Sequence, residues 1–124
     1  DLTYTYTDAE QGGNDLQVPQ IPENMASAWI SYAPSSGKLQ GFRTGFGVRY
    51  ADATQSLRNT AQSESYTVCD AMLGYAIRNW DFQLNVSNLF DKEYVIAVSD
   101  VDELLPTMAY GPSRFLNLSA TYKF

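Results

Sequence analysis

The sequence contains no histidine and only one cysteine, Cys69. A zinc cluster of cysteine and histidine ligands therefore cannot form within the chain, and neither can an internal disulfide or a histidine-based catalytic triad. Cys69 has no base near it in sequence and falls on an apolar face of its segment, which favours a small lipid-facing or packed residue over a nucleophile.

Long apolar runs and an excess of basic residues are also missing. The longest unbroken apolar run, residues 94–98, is far shorter than the roughly 20 residues that a membrane helix needs. The chain has 14 Asp and Glu against 8 Lys and Arg, which argues against nucleic acid as a partner because phosphate attracts basic surfaces. It opens with Asp1 and no signal-peptide pattern, which predicts a fragment or a processed product.

What the sequence does have is tyrosine, threonine and valine in alternating patterns. Aromatic residues make up 14% of the chain, and nine of them are tyrosine. These residue types suit pleated, half-buried surfaces, and no stretch shows sustained helical spacing, so we predict an all-β protein. Six segments alternate apolar and polar residues: 2–8, 25–33, 41–52, 66–78, 81–90 and 114–124. The last alternates without exception from Leu116 to Phe124, which places its apolar side chains on one face.

The connections between these segments alternate between long and short, which predicts an antiparallel up-and-down sheet with all long loops at one end. Short connections are predicted at 34–40 and at an Asn79–Trp80 corner. Two geometries fit: a soluble β-sandwich with the apolar face as its core, or a transmembrane barrel with that face in lipid. Three features favour the barrel: five of the six segments have 9–13 residues, charged residues in the middle of segments lie on the polar face, and aromatic residues lie at the ends of the apolar face.

The C-terminal part of the sequence resembles a TonB-dependent outer-membrane receptor. The resemblance rests on residues 80–94, WDFQLNVSNLFDKEY, then on YGPSR at 110–114, and on an alternating strand that ends in Phe124. Upstream, VPQIPENMAS at 18–27 and SYTVCDAM at 65–72 resemble the ferric-siderophore branch, and receptors for ferrichrome and related hydroxamate siderophores in particular. A cysteine pair that some ferrichrome-type receptors carry in the last loop is missing from residues 95–113.

The resemblance implies that residues 1–124 are the C-terminal portion of a larger barrel, about six of 22 strands, with the plug domain absent from this chain. It implies a bacterial outer-membrane receptor that imports ferric siderophores with energy from TonB, has no covalent catalysis, and holds no cofactor apart from the iron that its ligand carries. Implied partners are the ferric siderophore, the TonB complex through the plug, outer-membrane lipid and lipopolysaccharide, and the barrel assembly machinery. Two alternatives remain: a passive or structural outer-membrane barrel, and a soluble β-sandwich binding module.

Several residues are assigned roles on this resemblance. Ligand contacts at the extracellular mouth are predicted for Tyr110, Tyr66 and Trp29, since such side chains stack and donate hydrogen bonds; interfacial anchoring or packing is the alternative for each. The signature of the family is Asn88, Leu89, Phe90, Asp91 and Tyr94. Its polar members either face the plug or, in the interpretation we favour, close a strand end by bonding nearby backbone amides.

Two further expectations concern the C-terminus and the loops. Phe124 and Tyr122 are predicted to carry the signal read by the assembly machinery, or else simply to face lipid. The long loops carry nine acids against Arg58 and Lys92, which favours a neutral or cationic ligand over a tri-anionic catecholate complex, an ordinary solvated surface being the alternative. Those acids are Glu10, Asp15, Glu23, Glu64, Asp91, Glu93, Asp100, Asp102 and Glu103.

Overall fold

The alternating segments form one antiparallel sheet in the computed structural model, which describes residues 2–6, 10–11, 16–17, 21–56, 61–99 and 107–124. The strands of the chain are β1 (Leu2–Tyr6), β2 (Glu10–Gln11), β3 (Leu16–Gln17), β4 (Asn24–Tyr32), β5 (Phe42–Ala51), β6 (Tyr66–Ile77), β7 (Trp80–Ser87), β8 (Val95–Ser99), β9 (Thr107–Tyr110) and β10 (Phe115–Tyr122). The main sheet has six strands in the order β1-β4-β5-β6-β7-β10, each hydrogen-bonded to its predecessor in that order. The predicted all-β, antiparallel up-and-down fold is confirmed.

The strand register separates apolar and polar side chains across the whole sheet. One row of partners runs through Ile30, Phe46, Ala71, Val86 and Leu116. The neighbouring row, on the other side, runs through Ser31, Gly45, Met72, Asn85 and Asn117. We call the side of the first row the apolar face and the side of the second the polar face, since a period of two keeps each strand's residues on these sides.

The apolar face is exposed and carries aromatic side chains towards both ends. Ile30 and Leu118 in its middle are 71% and 75% exposed. Tyrosine side chains lie at the end near the long loops. A cluster of aromatic rings lies at the opposite end, where the ring centroid of Trp80 is 5.7 Å from that of Phe82 and 5.0 Å from that of Tyr122. In a soluble sandwich this face would be the buried core. Its exposure and its aromatic bands are those of a membrane-spanning barrel wall.

All three long connections lie at one end of the main sheet, as predicted, and each contains strand pairing of its own. β2 pairs with β3, Gln55 forms a bridge with Gln62, and β8 pairs with β9. These small hairpins were not predicted, because pairs of two to five residues are too short to show periodicity. Among the described residues, no helix is long and apolar enough to cross a membrane.

Two predicted boundaries were wrong. The corner between β6 and β7 is formed by Arg78 and Asn79, with Arg78 at a φ of 53°, whereas Trp80 already belongs to β7 and pairs with Ile77. The strand predicted for 81–90 begins at Trp80 and ends at Ser87, since Asn88 has a φ of 51°, in the left-handed region that asparagine tolerates better than most residues. The other strands lie within a few residues of their predicted bounds; residues 7 and 8 of the first segment lie outside the described ones.

The most deeply buried side chains lie at the loop end and not in the middle of the sheet. Among the described residues, the buried apolar ones are Ala51, Val68, Tyr94 and Val98. Val68 is an apolar residue on the polar face of β6, and its burial at the loop end accounts for its apolar character. The loop end is therefore the part of this segment that is packed like a protein core.

Candidate ligand-binding site

Asn88 fixes the base of the longest loop. Its side-chain amide nitrogen donates to the backbone oxygens of Lys92, at 2.8 Å, and Pro112, at 3.1 Å, and its side-chain oxygen accepts from the Lys92 backbone N–H at 2.8 Å. The residue is 2% exposed, and its own backbone N–H donates to Asp70 at 3.0 Å. One buried side chain thus joins the end of β7 to both ends of the loop that leads to β10.

Asp91 completes this turn. Its carboxylate accepts from the Arg114 backbone N–H at 2.8 Å, just before β10 begins. The predicted structural role of Asn88 and Asp91, closing a strand end through backbone amides, is confirmed by these bonds. Leu89 donates its backbone N–H to Cys69 at 2.7 Å, whereas the Phe90 side chain is 72% exposed.

Tyr94 lies between the turn and the polar face. Its ring centroid is 4.5 Å from that of Tyr66 at the start of β6, with the ring planes tilted by 38°. Its backbone oxygen accepts from Gly111 at 2.8 Å, and a Cβ added to Gly111 would lie 2.1 Å from the Tyr94 ring. Only glycine at position 111 leaves room for the Tyr94 ring in this position beside Tyr66.

An ion pair supports these tyrosines on the polar face. Arg49 donates to Asp70 from Nε at 2.8 Å and from Nη2 at 3.2 Å. Asp70 is also the acceptor for the Asn88 backbone, so the same carboxylate joins the β5–β6 pair to the base of the loop. A two-point contact of this kind fixes orientation better than a single bond does.

A cavity of about 350 Å³ opens beside the tyrosine pair at the loop end. Its walls come from the end of the second long connection, the start of β6 and both arms of the third long connection. They are Gln62, Ser63, Glu64, Ser65, Tyr66, Lys92, Glu93, Tyr94, Val95, Met108 and Tyr110. Aromatic rings with hydroxyl groups, combined with a few polar side chains, are typical of a pocket that binds a small organic ligand.

Comparison with known proteins gives the family. Residues 1–89, more than half of the chain, match the family model described as "TonB dependent receptor-like, beta-barrel". The chain belongs to this family of receptor barrels. It is accordingly a piece of a bacterial outer-membrane protein, as the sequence resemblance implied.

Individual relatives agree with this assignment. The receptor segment is 40% identical to the ferrioxamine B receptor of Salmonella typhimurium, over 98% of this chain and 18% of that protein. It is 33% identical to the ferrichrome outer membrane transporter/phage receptor of Escherichia coli K12, over 98% of this chain and 17% of that protein. The crystal structure of the ferric-catecholate import receptor Fiu of E. coli K12 superimposes with a TM-score of 0.74 at 32% identity, covering 98% of this chain and 18% of that one. The segment therefore spans less than a fifth of these relatives.

The cavity brings together two of the three residues predicted to contact ligand in the receptor. Tyr66 and Tyr110 both line it, and Tyr110 is 56% exposed. Trp29 does not line it. Its ring lies over two glycines of β5 on the polar face, since a Cβ on either Gly45 or Gly47 would come within 2.4 Å of it. Ligand contact stays a prediction for all three residues.

The C-terminal strand of the receptor is held to the β6–β7 turn. Asn79 donates its side-chain amide to the Lys123 backbone oxygen at 2.7 Å, and the Lys123 N–H donates to Asn79 at 2.9 Å. Tyr122 and Phe124 contact each other edge to face at 5.1 Å on the apolar face. An assembly signal at these two residues also stays a prediction.

The structure describes some of the charged residues that were predicted for the long loops, and leaves others out. Glu64 and Glu93 line the cavity together with Lys92, while Asp15, Arg58, Asp100, Asp102 and Glu103 lie outside the described residues. Asp52, just after β5, accepts hydrogen bonds from the Tyr50 hydroxyl and from the Asn24 amide, and these lower the pKa of its carboxyl from the usual value. No group of three or more potential metal-ligating side chains occurs within the described part of the chain.

Sequence reasoning missed three parts of this site. Gly111 belongs to the motif YGPSR at 110–114, and only the fold shows that it leaves room for the Tyr94 ring. The pairing of Arg49 with Asp70 was not predicted, because it depends on the register between β5 and β6. Met108 carries no signal in the sequence that would place it in the cavity.

Proposed function

We propose that the full-length receptor containing this chain imports ferric siderophores of the hydroxamate type across the outer membrane, with energy supplied by the TonB complex. The observation that carries the proposal is the loop-end cavity of about 350 Å³ with Tyr66, Tyr94 and Tyr110 in its walls. Two relatives are named for ferrioxamine B and ferrichrome, both hydroxamate siderophores, which supports this ligand class.

The chemistry of the cavity favours a ligand that is not an anion. Tyrosine rings offer apolar contact area, and their hydroxyls donate hydrogen bonds to the oxygen atoms that surround the iron. Glu64 and Glu93 outnumber Lys92 in the wall, so a complex with three negative charges meets net repulsion there. A ferric trihydroxamate, whose iron core is neutral, does not.

The remaining parts of the proposal follow from the family. Residues 1–124 serve as the C-terminal portion of the barrel, and the TonB complex acts through a plug outside this chain. The protein binds and transports without covalent chemistry or a resident cofactor, since the iron is part of the substrate. Lipid and lipopolysaccharide contact the apolar face, the assembly machinery recognises the strand of Tyr122 and Phe124, and nucleic acid is not a partner.

The test uses the full-length receptor in detergent and in cells. We expect a ferric trihydroxamate to bind more tightly than a ferric tricatecholate, and uptake to require TonB. Tyr66→Ala should weaken trihydroxamate binding about tenfold, because it removes one ring of the cavity wall. The matched control is Tyr32→Ala, which removes an exposed tyrosine from the apolar face beyond the cavity lining.

Two outcomes would contradict the proposal. Equal binding by the Tyr66 and Tyr32 variants and the unmodified receptor would show that the cavity is not the ligand site. Failure to bind any siderophore, together with an open conducting pore, would indicate a passive outer-membrane barrel.

A further inference from the structure

We propose that Arg49 and Asp70 are positioning residues for ligand binding: their ion pair on the polar face holds the β8–β9 hairpin in place through Asn88, and a competing charge beside Arg49 releases it. The inference rests on the proposed function, because the hairpin forms part of the wall of the loop-end cavity. Neither Arg49 nor Asp70 lines that cavity, so their effect on the ligand is indirect.

The Asp70 carboxylate joins Arg49 to the turn that precedes the hairpin. Its Oδ2 accepts from Arg49 Nε at 2.8 Å, and its Oδ1 accepts from Arg49 Nη2 at 3.2 Å and from the Asn88 backbone N–H at 3.0 Å. One oxygen atom therefore serves both a side chain of β5 and the backbone at the end of β7. If the carboxylate turns because Arg49 has left, the acceptor of the Asn88 N–H moves with it.

Asn88 connects this carboxylate to both arms of the hairpin. It has a φ of 51° and is 2% exposed, and its side chain is bonded to the backbone of Lys92 and Pro112. A left-handed φ is uncommon for residues with a side chain, so the conformation of Asn88 depends on its hydrogen bonds. Of these bonds, the one to Asp70 depends on a charged pair on the polar face.

A second ion pair of the same type lies near the opposite end of the polar face. Arg43, also on β5, donates to Asp81 from Nη1 at 3.0 Å and from Nη2 at 2.6 Å. Positions 81 and 88 are seven residues apart, which corresponds to about 20 Å along a strand. Each pair joins β5 to a later strand, but of the two only the Arg49 pair lies beside the loop. The Arg43 pair is therefore an internal control.

The Arg49–Asp70 pair can be opened from the polar face. The Arg49 side chain is 50% exposed, and its guanidinium has five N–H donors, of which two donate to Asp70. A cavity of about 270 Å³ lies beside it, with Ser27 and Arg49 in its wall. Ser27 on β4 is the direct partner of Arg49 in the sheet, so their Cβ atoms are about 5 Å apart. A carboxylate at position 27 would thus have room to compete for Arg49.

The first test places such a carboxylate in the full-length receptor. Ser27→Asp should draw Arg49 away from Asp70, and hydrogen exchange of the backbone amides in residues 88–94 and 108–114 should become about tenfold faster. Affinity for a ferric trihydroxamate should fall about fivefold, because the hairpin then occupies its binding position for only part of the time. Ser31→Asp is the matched control, since it adds the same charge to the same face of β4 opposite Gly45, and it should change neither quantity.

Removing each arginine separates positioning from general stability. Arg49→Gln should reproduce the effects of Ser27→Asp, whereas Arg43→Gln removes the equivalent pair and should leave exchange at the loop base unchanged. In the Asp70→Asn variant the pair is already open, so the addition of Ser27→Asp should have little further effect. A role confined to packing would not produce this non-additivity.

Loss of the coupling and loss of the proposed function give different results. Equal exchange in the Ser27→Asp and Ser31→Asp variants overturns the inference and leaves the proposed function intact. Faster exchange at unchanged affinity overturns the positioning role, and so do equal effects of Arg49→Gln and Arg43→Gln, which would assign both pairs to general stability. If the unmodified receptor binds no ferric trihydroxamate, the proposed function fails, and the positioning role fails with it.

Discussion

The ring of Tyr94 occupies the space that any side chain at position 111 would require. A Cβ on Gly111 would lie 2.1 Å from Cζ and 2.6 Å from the hydroxyl oxygen of Tyr94. The two residues are also joined by a backbone hydrogen bond of 2.8 Å from the Gly111 N–H to the Tyr94 oxygen. The Tyr94 ring can therefore occupy its place in the cavity wall only because Gly111, on the other arm of the loop, has no side chain.

Gly111→Ala should therefore destabilise the receptor by about 1–3 kcal/mol and weaken ligand binding, because the ring must move or the loop must shift. The free energy of unfolding in denaturant measures the first effect, and ligand titration the second. In the double variant with Tyr94→Ala, the added cost of the alanine should largely disappear, since the colliding ring is gone. Strictly additive effects would contradict the contact.

Asn88→Ala should cost about 2–3 kcal/mol of stability. The substitution removes three hydrogen bonds from a residue that is 2% exposed and leaves backbone groups of Lys92 and Pro112 without these partners. It also places alanine at a positive φ that asparagine tolerates better. Asn117→Ala, on the exposed strand β10, is the matched control and should change the free energy of unfolding by less than about 0.5 kcal/mol.

The sequence predicted which side of each strand is apolar, but not which residues contact each other across neighbouring strands. Alternation separated apolar from polar residues within each strand, as from Leu116 to Phe124, without any knowledge of the register, because the period of two is a property of each strand alone. It could not show that Arg49 pairs with Asp70, or that the Trp29 ring covers Gly45, since both depend on how two strands align. Register is fixed by turn geometry and packing, which a period of two does not encode.

The candidate site was predictable only in part for a related reason. Tyr66 and Tyr110 were chosen because they stand at loop edges, and the cavity unites them. Tyr94 was assigned to the signature and not to the ligand, since only the fold shows that its ring packs against that of Tyr66. Contacts between residues 28 positions apart lie beyond any local pattern.

Trp29→Ala tests whether Trp29 has a structural role or contacts the ligand. The ring covers Gly45 and Gly47, so its loss should lower the stability of the receptor by about 1–3 kcal/mol, less than for a fully buried tryptophan. Siderophore affinity should change less than in the Tyr66→Ala variant, because Trp29 does not line the cavity. A large loss of affinity at unchanged stability would instead support ligand contact.

The hydrogen bonds to Asp52 predict that the folded receptor loses stability at acid pH. Hydrogen bonds from Tyr50 and Asn24 lower the pKa of its carboxyl below 3.8, so the folded state favours the ionised form. The resulting stabilisation is fully present above the ordinary carboxyl range and is lost as the pH falls through the lowered pKa of the folded state. Unfolding midpoints should therefore show no effect of this group between about pH 5 and 8 and a decrease below about pH 4.

The Asp52→Asn variant is the control for this pH dependence. Its amide oxygen still accepts a hydrogen bond, but it does not titrate, so the part of the acid-induced decrease that comes from Asp52 should disappear. An identical decrease in the variant would assign the acid sensitivity to other carboxyl groups.

The hairpin of β8 and β9 is joined to the barrel wall by a set of hydrogen bonds at its base. Below it, Asn88, Asp91 and the Tyr94–Gly111 bond join the loop to the barrel wall, and Val95 pairs with Tyr110 directly above them. Residues 95–110 can therefore be exchanged as a unit between receptors of this family, with the cuts made at Tyr94 and Gly111. Such chimaeras would transfer the upper wall of the cavity without altering the strands that carry it, and they would measure how much of the ligand preference this one loop determines.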